Sequence, residues 1–130
     1  MRHTPEHITE LAENEIFCFG SNTHGIHGSG AALHAWKYFG AIRGVGEGLF
    51  GNSYAFPTLN ADSRGGLVLE KRSHEELAES VRAFFQVASY NPGMVFLLTR
   101  VGCGLAGYSE DYMKSLFIGS PPNVVKPEGW

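Results

Sequence analysis

The run from Glu15 to Gly40, EIFCFGSNTHGIHGSGAALHAWKYFG, constrains this chain more than any other stretch. Ile16-Phe17-Cys18-Phe19 is a continuous apolar segment with the length of a strand buried on both faces, as in a parallel sheet. It breaks at Gly20, passes through Gly25, Gly28 and Gly30, and becomes helical in pattern from Ala31. Strand, glycine loop and helix in that order present bare backbone amides to an anion. First-turn amides of a helix have no partner inside it, the macrodipole adds positive potential there, and glycine lets a phosphate approach without a Cβ in the way. The stretch predicts that the loop holding Gly25, Gly28 and Gly30 grips a phosphate-bearing small molecule.

The length of 130 residues allows one domain, 1–130, large enough to bury roughly two thirds of its unfolded surface. With 43% hydrophobic and 18% charged residues the composition is that of a soluble globule, and a net charge of -3 argues against a basic nucleic-acid surface. Backbone amides must therefore do most of the neutralising of any phosphate. Cys18 and Cys103 are too few for a disulfide framework and lack zinc spacing, and Asp and His show no metal-ligand pattern. Reduced, buried thiols are expected, and neither a metal nor a cofactor. With no signal-peptide core, long apolar span or lipidation motif in view, the expected place is the cytoplasm, away from membranes.

Taken in order, Thr4 and Pro5 predict a short helix with Ile8, Leu11 and Ala12 on one face, ending at Asn14. After the strand at Ile16, a helix carries Ala31, Ala32, Ala35, Trp36 and Phe39 and stops at Gly40. Gly44 to Gly51 is too rich in glycine for a regular element, and Ser53-Tyr54-Ala55-Phe56 reads as a strand stopped by Pro57. Thr58 to Gly66 reads as polar loop, and Leu67-Val68-Leu69 as either a short strand or an extended lead-in. Ser73 and Glu76 form a capping box for the longest helix, with Leu77, Val81, Phe84, Phe85 and Ala88 at helical period and a stop at Asn91-Pro92-Gly93. Met94 to Leu98 is the most apolar strand and belongs inside the sheet, Ser109 caps a helix with Met113, Leu116 and Phe117, and Asn123-Val124-Val125 is a last strand. Alternating strands and helices imply a mostly parallel α/β sheet covered on both faces.

Two glycine loops, around Gly28 and Gly104, thus leave the carboxyl ends of strands and enter helices, the edge where open α/β sheets hold ligands. Glycines there also make tight turns without any ligand, but two such loops, with a third at Gly44, favour a bound anion. Gly102-x-Gly104-x-x-Gly107 matches the dinucleotide fingerprint as well. A dehydrogenase reading fails on length, since the second half of a dinucleotide fold would have to follow it.

The string of loops resembles the macrodomain family, whose members bind ADP-ribose and sometimes cleave it from acceptors. Ile8-Thr9-Glu10-Leu11 is similar to the family's early Ile-Thr-x-Leu, and Phe19-Gly20-Ser21-Asn22 to the end of its Asn-Ala-Ala-Asn strand. Gly28-Ser29-Gly30-Ala31-Ala32-Leu33-His34-Ala35 resembles its first glycine loop and helix. Gly46-Glu47-Gly48 with Ser53-Tyr54-Ala55-Phe56 resembles its Gly-Glu-Ala loop and strand, and Gly102 to Tyr108 its Ser-Thr-Gly-Ile-Tyr-Gly-Tyr loop. The resemblance implies a compact three-layer αβα fold with a mostly parallel central sheet. It implies that Asn22 points its carboxamide at the distal ribose, that Gly28 to Ala31 and Gly102-Cys103-Gly104-Leu105-Ala106-Gly107 wrap the diphosphate, and that Tyr108 shapes the pocket. Gly20, Ser21, Gly46 and Gly48 join the expected binding set on the same ground. Two positions depart from the pattern: the family's adenine-reading Asp falls on His7, and the aromatic that packs on the distal ribose is Ala106.

Candidate catalytic groups are Glu47, a general base for water between two glycines, and Asn22 as its positioning partner. His24 and His27 flank the first loop, within reach of phosphate, while surface roles compete. Cys103 sits where amides and a helix N-terminus would lower a thiol pKa. His34 reads as a packed histidine. The expected function is binding of ADP-ribose or a related NAD-derived nucleotide, with hydrolysis of ADP-ribose from an acceptor, or a protein-interaction domain with a vestigial pocket, as the alternatives.

Overall fold

A computed structural model describes residues 2–28, 30–61 and 69–130. The order is β1 (Glu15–Asn22), α1 (Gly30–Tyr38), β2 (Gly48–Phe50), β3 (Ser53–Ala61), β4 (Leu69–Lys71), α2 (His74–Tyr90), β5 (Val95–Leu98), α3 (Glu110–Leu116) and β6 (Val124–Val125). The strands form one mixed, mostly parallel sheet in the order β2-β3-β1-β5-β6, with β4 paired to β3. β1 pairs in parallel with both β3 and β5, and β5 with β6, whereas β2 and β4 run antiparallel to β3. Among the described residues no helix is long and apolar enough to cross a membrane.

The apolar run in β1 is central because both faces of it are buried. Ile16 and Cys18 belong to one core cluster, with Phe84 of α2, Met113 of α3, Phe96 and Leu98. Phe17 and Phe19 belong to the other, with Ala35 of α1, Phe39 and Ala55. Successive side chains of a strand point to opposite faces, so these clusters lie on the two sides of the sheet, and each large side chain contributes about 1.5–3 kcal/mol by leaving water. α2 begins as its capping box predicts: the Ser73 hydroxyl accepts from the Glu76 amide at 3.1 Å and the Glu76 carboxylate accepts from the Ser73 amide at 2.9 Å. Ser109 likewise caps α3, accepting from the Tyr112 amide at 3.1 Å.

Several expectations are corrected. Residues 4–12 form no helix, because the donors of Thr4 bond β6 instead. Its amide bonds the Lys126 carbonyl at 2.9 Å and its hydroxyl the Val125 carbonyl at 2.9 Å, leaving Ile8 and Leu11 to pack as extended chain on the Phe17 cluster. The stretch Gly44 to Gly51 does contain a strand, β2, joined to β3 by Gly51-Asn52. Only Gly51 there has positive φ, +57°, which suits a two-residue hairpin opening on glycine. Pro57 does not stop β3. Its carbonyl accepts from Arg72 Nη1 at 3.2 Å, so its nitrogen faces the same edge, between the pairing of β2 and that of β4, where no ladder bond is lost. β3 therefore runs through Thr58 to Ala61. Leu69 opens β4, while Leu67, Val68 and the rest of the expected loop at 62–66 lie outside the described residues.

Candidate functional site

β1 and β5 are neighbours, and the chain leaves their carboxyl ends in different directions, from β1 into α1 on one face and from β5 into α3 on the other. A crevice opens between diverging loops of this kind at a topological switch point. It is a cleft of about 270 Å³ floored by Gly20, Ser21 and Asn22 of β1 and Thr58 and Leu59 of β3. One wall holds Ile26, Gly28, Gly30, Ala31 and Ala32, the other Thr99 to Gly102 and Gly104 to Ala106, with Leu69 of β4 at one end. The two glycine loops are thus on a single rim. The strand ends also touch their neighbours closely: a Cβ added to Gly20 would lie 3.6 Å from the Gly102 nitrogen.

The second loop is shaped by its own backbone. Cys103 donates to the Arg100 carbonyl at 3.2 Å, Gly107 to that of Gly104 at 3.0 Å and Tyr108 to that of Gly102 at 2.9 Å, and Gly102 has φ +80°, closed to most side chains. Those bonds leave the amides of Gly102, Gly104, Leu105 and Ala106 with no acceptor among the described residues. Across the cleft the first-turn amides of α1 lack helical partners. Both sets can donate to the oxygens of an anion. Among the described lining residues Arg100 supplies the only charged side chain, and it is engaged elsewhere. It donates to Glu6 Oε1 at 3.1 Å, Glu110 Oε1 at 2.7 Å and the Glu128 carbonyl at 3.0 Å, and the Glu110 bond holds its pKa above the usual value.

Asn22 is held within the first loop. Its Oδ1 accepts from the amides of His24 and Ile26, both at 3.1 Å, and its Nδ2 donates to the Ile26 carbonyl at 3.0 Å. One N–H remains for a ligand, and a hydroxyl seeking an acceptor on Asn22 must displace a backbone amide. The loop is braced from behind by residues 44–46. A Cβ on Gly46 would lie 2.2 Å from the Asn22 carbonyl oxygen, one on Gly25 would lie 2.3 Å from the Val45 nitrogen, and the Ser21 hydroxyl donates to the Gly46 carbonyl.

The other expected site residues fall outside the cleft lining. Glu47 is exposed on the loop beyond Gly46, and Gly46 and Gly48 act as close-packed backbone. His27 is 1% exposed, its Nε2 lies 3.1 Å from the Ile42 carbonyl, its ring meets Phe19 edge-on at 5.5 Å, and burial pushes its pKa down. Tyr108 turns its hydroxyl to the carbonyls of Arg72 and Thr58, at 2.9 and 3.2 Å, and so anchors the second loop to the chain leaving β4. Cys103 differs from the sequence expectation in direction: burial, reinforced by the Glu110 carboxylate, raises its thiol to about 11. Desolvation outweighs the nearby Arg100 charge, which acts in the opposite direction. Ser29 lies outside the described residues.

Ile26, Thr58, Leu59, Leu69, Thr99, Arg100 and Val101 line the cleft without having been singled out from sequence. Thr99 to Val101 follow β5 directly, at the strand edge where ligands collect, and that position is a usable signal. Leu69 arrives by antiparallel pairing with Ala61 and carries no such mark. A second cavity of about 330 Å³ adjoins the cleft through Gly30, Ala31 and Thr99, with Glu6, His7, Ile8, Thr9, Phe17 and His34 around it. No family model, curated protein or solved structure matches this chain.

Proposed function

We infer that this chain is a macrodomain-like protein, a single three-layer αβα domain spanning 1–130, that binds ADP-ribose or a related NAD-derived nucleotide. The observation that carries the reading is the set of amides at Gly102, Gly104, Leu105 and Ala106, without acceptors among the described residues, in residues that line one cleft with the start of α1. A diphosphate suits such a cradle, because several oxygens share charge and several donors are on offer. The adjoining cavity beside His7 and Ile8 has room for a nucleobase, in the place the family resemblance assigns to adenine. Two free cysteines accord with a reducing cytoplasm, and a net charge of -3 with a small ligand rather than a nucleic acid. Hydrolysis of an ADP-ribosyl group has less support, since Glu47 lies outside the cleft lining.

The test is thermal stabilisation of the purified protein by ADP-ribose, followed by calorimetry. At a hundredfold excess over the dissociation constant a ligand adds about 2.7 kcal/mol, a shift of several degrees for a domain of this size. Unchanged melting with ADP-ribose, its cyclic relatives and pyrophosphate would remove the proposal.

A further inference from the structure

The cradle has an apolar end. Ile26, Leu69 and Leu105 are 42%, 39% and 83% exposed, come from three separate elements, and all line the same cleft as the free amides. Single exposed leucines need no explanation, but three around one concave anion site leave apolar surface that a ligand there would cover. Their position along the cleft is defined by the sheet. Leu69 pairs with Ala61 on the side of β3 away from β1, whereas Thr99, shared with the second cavity, follows β5 on the other side of β1. A ligand that starts in the second cavity and runs along the cleft therefore heads from Thr99 towards Leu69.

Two of the polar side chains there are partly committed. The Thr58 hydroxyl donates to the Ser21 carbonyl at 3.3 Å, and the Asn22 Oδ1 is filled by two amides. A sugar terminus would leave much of this apolar surface in water, whereas an uncharged planar ring would cover it.

We propose that the far end of the ligand is an uncharged planar ring, so that the preferred ligand class is an intact dinucleotide and the rim of Ile26, Leu69 and Leu105 determines that preference. This rests on the nucleotide reading above and adds to it the identity of the second terminus. No hydride transfer is implied, only binding.

Calorimetric titration of the full chain with NADH and with ADP-ribose tests it, because the two differ only at the distal anomeric carbon, which carries the ring in one and a hydroxyl in the other. NADH is expected to bind at least tenfold more tightly. Leu69→Ser and Leu69→Thr, at an exposed position of β4 outside the amide cradle, are expected to bring NADH to within threefold of ADP-ribose while leaving ADP-ribose unchanged. ADP-ribose binding as tightly as NADH, or variants that weaken both ligands equally, would overturn the rim assignment and leave the nucleotide reading standing. Failure of both ligands to bind the native chain would overturn the two together.

Discussion

Asn22 and Ile26 hold each other through both main-chain groups of Ile26, with the amide donating to Oδ1 at 3.1 Å and the carbonyl accepting from Nδ2 at 3.0 Å. A third bond, from the His24 amide, completes a side-chain-closed turn at the carboxyl end of β1. The turn sets where Ile26 and Gly28 stand on the cleft wall. Asn22→Ala removes all three bonds, at about 1 to 2 kcal/mol in a partly exposed loop. It should lower ADP-ribose affinity by more than tenfold, whereas Asn22→Asp, which keeps the oxygen that accepts from the His24 and Ile26 amides and loses the donor to the Ile26 carbonyl, should be intermediate in stability. Denaturant melts and titrations on the pair separate the outcomes, and equal stability of all three proteins would contradict the assigned role.

Glycines of the two loops divide by what a methyl group would meet. At Gly28 and Gly104 an added Cβ has nothing within 4 Å, so Gly28→Ala and Gly104→Ala should melt within about 0.5 kcal/mol of the native protein while weakening the anion site they line. Gly46→Ala should do the reverse first: its Cβ would overlap the Asn22 carbonyl oxygen, at a cost of about 1–3 kcal/mol or more. Thermal denaturation with and without pyrophosphate distinguishes the two behaviours.

Cys103 should be a poor nucleophile. A thiol raised from 9.0 to about 11 holds about a hundredfold less thiolate at neutral pH than an ordinary cysteine. Reaction of the native protein with a disulfide reagent at pH 8 is expected to be slow at Cys103 and slower still at Cys18, which is fully buried with its pKa pushed up. Fast labelling of Cys103 before unfolding would show an environment other than the one described.

Stability should depend on pH through His27. Burial lowers its folded pKa below the ordinary 6.5, so the unfolded chain binds the proton first. The contribution is complete above about pH 6.5 and is lost as pH falls from there through the folded value. His27→Asn should flatten the melting profile between pH 7.5 and 5.5. At more acid pH the carboxylate of Glu110 acts in the same direction. Hydrogen bonds from Trp130 and Arg100 hold it below 4.5, so its contribution is present above that value and disappears as pH falls through the lowered pKa. Glu110→Gln should shallow that acid limb without removing it, because hydrogen bonds also hold the carboxyls of Glu15 and Glu76 below their ordinary value.

Local order determined much of this protein in advance. The apolar run Ile16 to Phe19, the capping box at Ser73, the cap at Ser109 and the glycine loops before α1 and α3 are short-range signals, because period, capping and turn chemistry act within a few residues. From them follow a mostly parallel sheet and two loops at strand ends. The tertiary structure decided what depends on distant partners. It drew Thr4 to β6 instead of into a helix, carried β3 through Pro57 where neither neighbouring strand needs a donor, and brought Leu69 to the cleft by pairing it with Ala61. It also turned His27, Tyr108 and Cys103 away from the cleft lining and left amides of the second loop without acceptors among the described residues. A backbone amide looks the same at every position of a sequence, and only the folded chain determines which ones have no acceptor.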